Sequence, residues 1–287
     1  MALTADDMVG HLAFEGSVRE LAKSLLHIHD TSQRLASLFG TRQRWLMAHT
    51  ALMQYFRDVA ANGPGTGLLT ARLLDLVARY EVASRNTAAA FLNEMLKYGI
   101  IRHVAGTEGR RHRPLEPAPE TLAALFQWHV LHLRTLDGLD GGNRVATLYA
   151  EPAILSSLQP LIADGLLNSN VVRRPDPTFK LFAWVDEGGI VMDRLIVGCA
   201  EGGMDLDRVP TDVTSISGLA ERLKLSRTQL GRKLAVAESM GSLGWVGARG
   251  RSPMWVSNGF RREYHKAQAV KLAVVDAACE VCLSRRA

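Results

Sequence analysis

Two stretches decide the fold: Thr70-Ala-Arg-Leu-Leu-Asp-Leu-Val-Ala-Arg-Tyr-Glu-Val-Ala-Ser-Arg-Asn-Thr87 and Ser215-Ile-Ser-Gly-Leu-Ala-Glu-Arg-Leu-Lys-Leu-Ser-Arg-Thr-Gln229. Each reads as a short amphipathic helix, a tight polar turn, then Ser-Arg opening another helix. Ser84 and Ser226 stand 142 positions apart (226 − 84), as do Gly99 and Gly241 (241 − 99). Serine to glycine is therefore 15 residues in both copies, about four helical turns.

The side chains say which way each second helix faces. A hydroxyl can satisfy an orphan amide of a first turn, so Ser84 and Ser226 are expected N-caps. Ala88, Phe91, Leu92 and Met95 follow helical spacing and predict a buried face in the first copy. Leu230, Leu234 and Ala237 predict the same in the second. Arg85, Asn86, Ala89, Ala90 and Asn93 are left outward in one, and Arg227, Thr228, Gly231 and Arg232 in the other. Gly99 and Gly241 suit the glycine that follows a helix end.

Beyond each helix come an apolar stretch, a basic glycine-rich loop and a second extended stretch, at 100–115 and 243–256. Both predict small β-hairpins with a charged tip. The first loop carries Arg110, Arg111 and Arg113, the second Arg249 and Arg251. Long helices are expected to follow, at 119–136 and 260–283, and leading helices to precede, at 41–61 and 189–200. Between the copies, 139–143 reads as a break, 151–165 as a helix bent by Pro160, and 173–177 as a turn-rich connector.

Residues 41–135 resemble the MarR-type winged-helix regulators, through Val82-Ala-Ser-Arg-Asn-Thr87, Glu94-Met-Leu-Lys-Tyr-Gly-Ile-Ile101 and the wing Glu108-Gly-Arg-Arg-His-Arg-Pro-Leu115. Residues 190–284 resemble a second, more diverged unit through Leu225-Ser-Arg-Thr-Gln-Leu-Gly-Arg-Lys-Leu234. Together these cover roughly two thirds of the chain. The resemblance implies a mainly α fold with small β-wings, built as two tandem winged helix-turn-helix domains at 41–138 and 189–287. A helical segment at 1–40 and a helical linker at 139–188 complete the expected organisation.

It further implies double-stranded DNA as partner, with the second helix of each unit in a major groove and the wing on adjacent backbone or minor groove. Arg227, Thr228, Gln229 and Arg232 are then the candidates for base edges, with Ser226 and Lys233 beside them. Ser84, Arg85, Asn86 and Thr87 would approach a second groove. Arg110, Arg111, Arg113, Arg249 and Arg251 would serve phosphates or the minor groove. One departure bears on the first unit: Ala89-Ala90 stands where such families often carry polar or basic residues. That leaves docking to protein open for the first copy.

The rest of the chain narrows the function classes. It has 287 residues, about twice a usual domain. The 47% hydrophobic and 22% charged residues are ordinary for a soluble globular protein. A net charge of +5 and a pI of about 9.3 suit a polyanionic partner where the charge clusters. No apolar run approaches the ~18 residues of a membrane span, and the opening lacks a signal-peptide pattern, so a cytoplasmic protein is expected.

No phosphate-binding loop, Gly-x-Ser-x-Gly or His-Glu-x-x-His appears, so function is expected from binding rather than catalysis, without a cofactor. His129 and His132 stand three apart on one helix; metal chelation and ordinary core or solvated histidines are both open. Cys279-Glu-Val-Cys282 sits in an apolar helical run, which favours packing over thiol sensing. At 15–29 a helix with the stripe Val18, Leu21, Leu25 and Ile28 is by analogy a homodimer element, or else a core helix. A small-molecule effector, a plasmid replication initiator and a winged-helix partner of chromosome-organising complexes remain alternative readings.

Overall fold

The computed structural model describes residues 2–31, 39–109, 112–183, 188–200 and 206–284. In chain order the helices and strands begin with α1 (Ala5–Gly10), α2 (Phe14–Thr31), α3 (Arg42–Asn62), α4 (Thr70–Arg79) and α5 (Arg85–Lys97). The hairpin β1 (Ile101–His103) and β2 (Leu115–Pro117) comes next, then α6 (Pro119–Asp140), α7 (Arg144–Ala150), α8 (Leu155–Asn168) and α9 (Asn170–Arg173). There follow α10 (Pro177–Ala183), α11 (Gly189–Gly198), β3 (Arg208–Pro210), α12 (Ile216–Leu223) and α13 (Arg227–Ser239). The chain closes with β4 (Leu243–Trp245), β5 (Met254–Ser257) and α14 (Asn258–Ser284). Among the described residues no helix is long and apolar enough to cross a membrane.

The chain divides into two compact units that are not consecutive in sequence. Unit 1 takes the described residues within 1–4, 43–173 and 271–287; unit 2 takes those within 5–42 and 174–270. The helix α14 is shared, its first half in unit 2 and its second half in unit 1.

In unit 1 the buried side chains of α5 are Ala88, Phe91, Leu92 and Met95, and those of α4 are Leu73 and Val77. β1 pairs antiparallel with β2, Ile101 opposite Pro117 and His103 opposite Leu115. Leu68 adds a single bridge on the far side of β2, its N–H donating to Leu115 O at 2.7 Å and its carbonyl accepting from Leu115 N at 2.8 Å. This approach needs a glycine beforehand. Gly67 has φ +61°, and a Cβ there would lie 2.5 Å from Leu115 O. Phe56, Leu125 and Leu155 join α3, α6 and α8 in a second apolar cluster.

Unit 2 repeats the order with a fuller sheet. β5 lies between β3 and β4, antiparallel to both, with Val209 opposite Val256 and Leu243 opposite Val256. The buried residues of α13 are Leu230, Leu234 and Ala237. Helix α2 packs along α11, and its Arg19 donates to the carbonyls of Val197 and Cys199, each at 2.7 Å. That closes orphan carbonyls at the end of α11. The buried stripe of α2 is Phe14, Val18, Leu21, Ala22, Leu26 and His29, whereas Leu25 and Ile28 of the expected stripe are half-buried. His29 is drawn inward because its Nε2 lies 3.1 Å from Leu223 O.

The two copies share one frame. α5 and α13 begin 142 residues apart (227 − 85), and so do β1 and β4 (243 − 101). β2 and β5 begin 139 apart (254 − 115), so the second hairpin loop is shorter by three residues. At this spacing Ala88 and Met95 match Leu230 and Ala237. The small residue comes first in one helix and the large residue first in the other, with all four buried.

Candidate nucleic-acid interface

Each second helix opens as its sequence requires. Ser84 Oγ accepts from Thr87 N at 3.1 Å and lies 2.8 Å from Thr87 Oγ1. Ser226 Oγ accepts from Gln229 N at 3.5 Å, a longer contact. Ser215 caps α12 likewise, accepting from Gly218 N at 3.0 Å. Gly99 and Gly241 end the helices with φ +67° and +69°, a conformation that costs other residues energy.

The capped ends present different chemistry. In α13 the residues Arg227, Thr228, Gln229 and Arg232 are exposed, and neither arginine has an acidic partner among the described residues. Gly231 lies between them, and a Cβ there would meet nothing within 4 Å. Lys233 is directed otherwise. It is half-buried, with Nζ 3.4 Å from the carbonyl of Phe182 at the end of α10. Its charge therefore favours a helix C-terminus inside unit 2 rather than the outward face.

In α5 the residues Ser84, Arg85, Asn86 and Thr87 are exposed, but Arg85 is paired with Asp75 of α4. Ala90 is exposed and Ala89 half-buried. Further arginines of unit 1 are matched, among them Arg72 with Asp58 at 2.7 Å, Arg44 with Glu94 at 2.9 Å and Arg102 with Glu116 at 2.8 Å.

Arg110 and Arg111 lie outside the described residues. Arg113 is half-buried, and it helps hold the Glu108 carboxyl below its ordinary range, after the larger effect of the backbone N–H groups of Glu108 and Gly106. In the second hairpin Arg251 is exposed and carries no ion pair among the described residues, whereas Arg249 pairs with Glu238 of α13 at 2.8 Å. That pair ties the loop to the helix. A platform that the sequence did not announce lies on the sheet beside it: Arg208 sits 4.3 Å over the Trp255 ring. The indole covers Gly244, where any Cβ would collide with it. Alternation in β5 (buried Met254 and Val256, half-buried Trp255) is the signal that could have placed that ring outside.

The other chemistry-bearing residues lie inward. Among the described residues no three His, Cys, Asp or Glu side chains converge to hold a metal ion. Cys279 and Cys282 are buried, and burial pushes the Cys279 thiol up to about 12. His129 and His132 are buried in unit 1, each with Nδ1 on a carbonyl of its own helix.

No protein-family model, curated protein or solved structure matches the chain.

Proposed function

We propose that the chain is a sequence-specific, double-stranded-DNA-binding transcriptional regulator whose two units are winged helix-turn-helix domains. The support is the order helix, extended segment, helix, helix, hairpin, which runs once through α3, Leu68, α4, α5, β1 and β2 and again through α11, β3, α12, α13, β4 and β5. The single observation that carries the reading is the outward edge of α13. Arg227, Thr228, Gln229 and Arg232 share it, and the two arginines have no acidic partner among the described residues. Arginine and glutamine forks match guanine and adenine edges in a major groove. Arg251 on the hairpin then meets backbone phosphate, which positions without specifying. Lys233 is dropped from the reading set because its ammonium is used inside unit 2.

The test is a binding titration against duplexes selected from the source genome, repeated over several salt concentrations. Arg232→Ala is expected to weaken the selected site by ~1–3 kcal/mol and to leave random duplex nearly unchanged. Arg251→Ala is expected to weaken all duplexes alike and to reduce the salt slope by ~0.9. Equal binding of the selected site by Arg232→Ala and the parent removes α13 as the reader.

A second reading concerns unit 1 alone. Its paired arginines and Ala90 favour a protein partner for α5, with DNA contacts left to unit 2.

A further inference from the structure

Four elements of unit 1 meet around Trp128, and the polar groups they bring there are mostly bases. Helix α6 supplies Trp128, His129 and His132; α3 supplies Trp45 and His49; α8 supplies Gln159; the second half of α14 supplies Lys271. The rings are in contact. His132 stacks on Trp128 at 3.9 Å between centroids, while His49 and His129 each meet it edge-on at 5.1 Å. Trp45 lies 4.5 Å from His49. His129 and His132 are both fully shielded from solvent, at 0% exposure.

The hydrogen bonds fix where the imidazole protons sit. Nδ1 of His129 is 2.8 Å from Leu125 O, and Nδ1 of His132 is 2.7 Å from Trp128 O. A carbonyl only accepts, so both rings carry their proton on Nδ1. Nε2 of each is buried with no hydrogen-bond partner among the described residues. His49 is held the other way: the Gln159 amide nitrogen, 3.0 Å away, donates to its Nδ1. A second proton on His129 or His132 would therefore sit on a buried nitrogen facing no acceptor.

The surrounding charge adds to the penalty. Lys271 on α14 opposes a proton on His132, as do His129 on α6 and His49 on α3. Gln159 on α8 is neutral. The buried carboxylates of unit 1 are engaged elsewhere: Asp276 with Arg144 and the amide of Leu3, and Asp58 with Arg72.

We infer that this cluster is an acid-sensitive latch: unit 1 closes around neutral imidazoles, and mild acid releases it before unit 2. Burial carries His129 down to about 4 and holds His132 well below its ordinary range. In the open chain both titrate near 6.5. The sign follows from linkage: their neutral forms leave stability intact above about pH 6.5, and stability falls as pH drops from there toward about 4. Each histidine kept neutral at pH 5 raises the opening equilibrium ~30-fold, and two raise it ~1000-fold. Unit 2 holds one comparable ring: His265, also carried down to about 4 by burial. There Glu15 lies 3.6 Å from Nδ1 and Arg261 opposes the proton, so unit 2 carries one such ring against two in unit 1.

Hydrogen exchange of the full chain, corrected for intrinsic rates, separates the units. Between pH 7.5 and 5.0, protection of α3 and α6 should fall ~1000-fold, against ~30-fold in α12 and α13. The double variant His129→Leu with His132→Phe, which keeps an aromatic ring on Trp128, should lose most of that fall. Equal loss in both units, or an undiminished fall in the variant, overturns the inference. Should the variant not fold at pH 7.5, imidazole NMR of the parent decides. Assigned rings of His129 and His132 that stay silent down to pH 5 in the folded chain support the latch, and the same two rings titrating near 6.5 overturn it.

Discussion

Arg85 and Arg227 open the same turn of the same helix in the two copies, yet among the described residues only the first meets a carboxylate, that of Asp75. Five residues on, Ala90 in one copy answers Arg232 in the other. The apolar positions hold the frame in both, since Leu92 and Leu234 are both buried at the shared spacing. Packing and surface charge thus vary independently between the two units. The scaffold needs only apolar volume on one stripe, and the opposite stripe is free to be silenced in unit 1 or left open in unit 2.

The largest effects are expected where the two units are alike, at Leu92 and Leu234. Leu92→Ala and Leu234→Ala each remove a buried side chain from the same helical position, and each should cost about 2–5 kcal/mol in chemical unfolding. If either costs under about 1 kcal/mol, the two frames are not equivalent and the shared spacing is only formal.

A smaller effect comes from exchanging Ala89 and Gly231, which also occupy matching positions. Gly231→Ala places a methyl in open space and should stabilise α13 by about 0.5–1 kcal/mol, while Ala89→Gly should weaken α5 by a similar amount. Thermal melts read both. If α13 lies against DNA as proposed, Gly231→Ala should nonetheless weaken the selected duplex, and a more stable protein with unchanged affinity would place that face away from the groove.

The smallest effect sharpens the comparison. Asp75→Asn frees Arg85 and should change stability by less than about 1 kcal/mol, because the pair is exposed. A salt titration should then steepen by ~0.9 if Arg85 reaches a phosphate. An unchanged slope would favour the protein-docking reading of α5.

What the sequence made legible was local. The caps at Ser84 and Ser226, the inward stripes, the terminal glycines and the hairpins depend on residues within one turn or one loop of each other, so spacing alone exposes them. The rest depends on partners far along the chain. Lys233 reads as an outward cation until the carbonyl of Phe182, 51 positions earlier, takes its ammonium. The Arg208–Trp255 stack joins two strands 47 residues apart (255 − 208). His129 and His132 could equally have been solvated, and only the packing of α3, α8 and α14 around α6 makes them interior. The interleaving of the two compact units likewise follows from long-range contacts that no local pattern carries.

The reversed order of small and large core residues, Ala88 and Met95 against Leu230 and Ala237, makes α5 and α13 non-interchangeable. Grafting α5 into the seat of α13 would leave a void where Leu230 had been and crowd the site of Ala237. Overpacking of that kind costs about 1–3 kcal/mol, and the void adds to it. A chimera that transfers the surface of one helix to the other must therefore carry over only the outward residues and keep each helix's own interior. The same mismatch would handicap any chain in which one of these helices replaced the other whole.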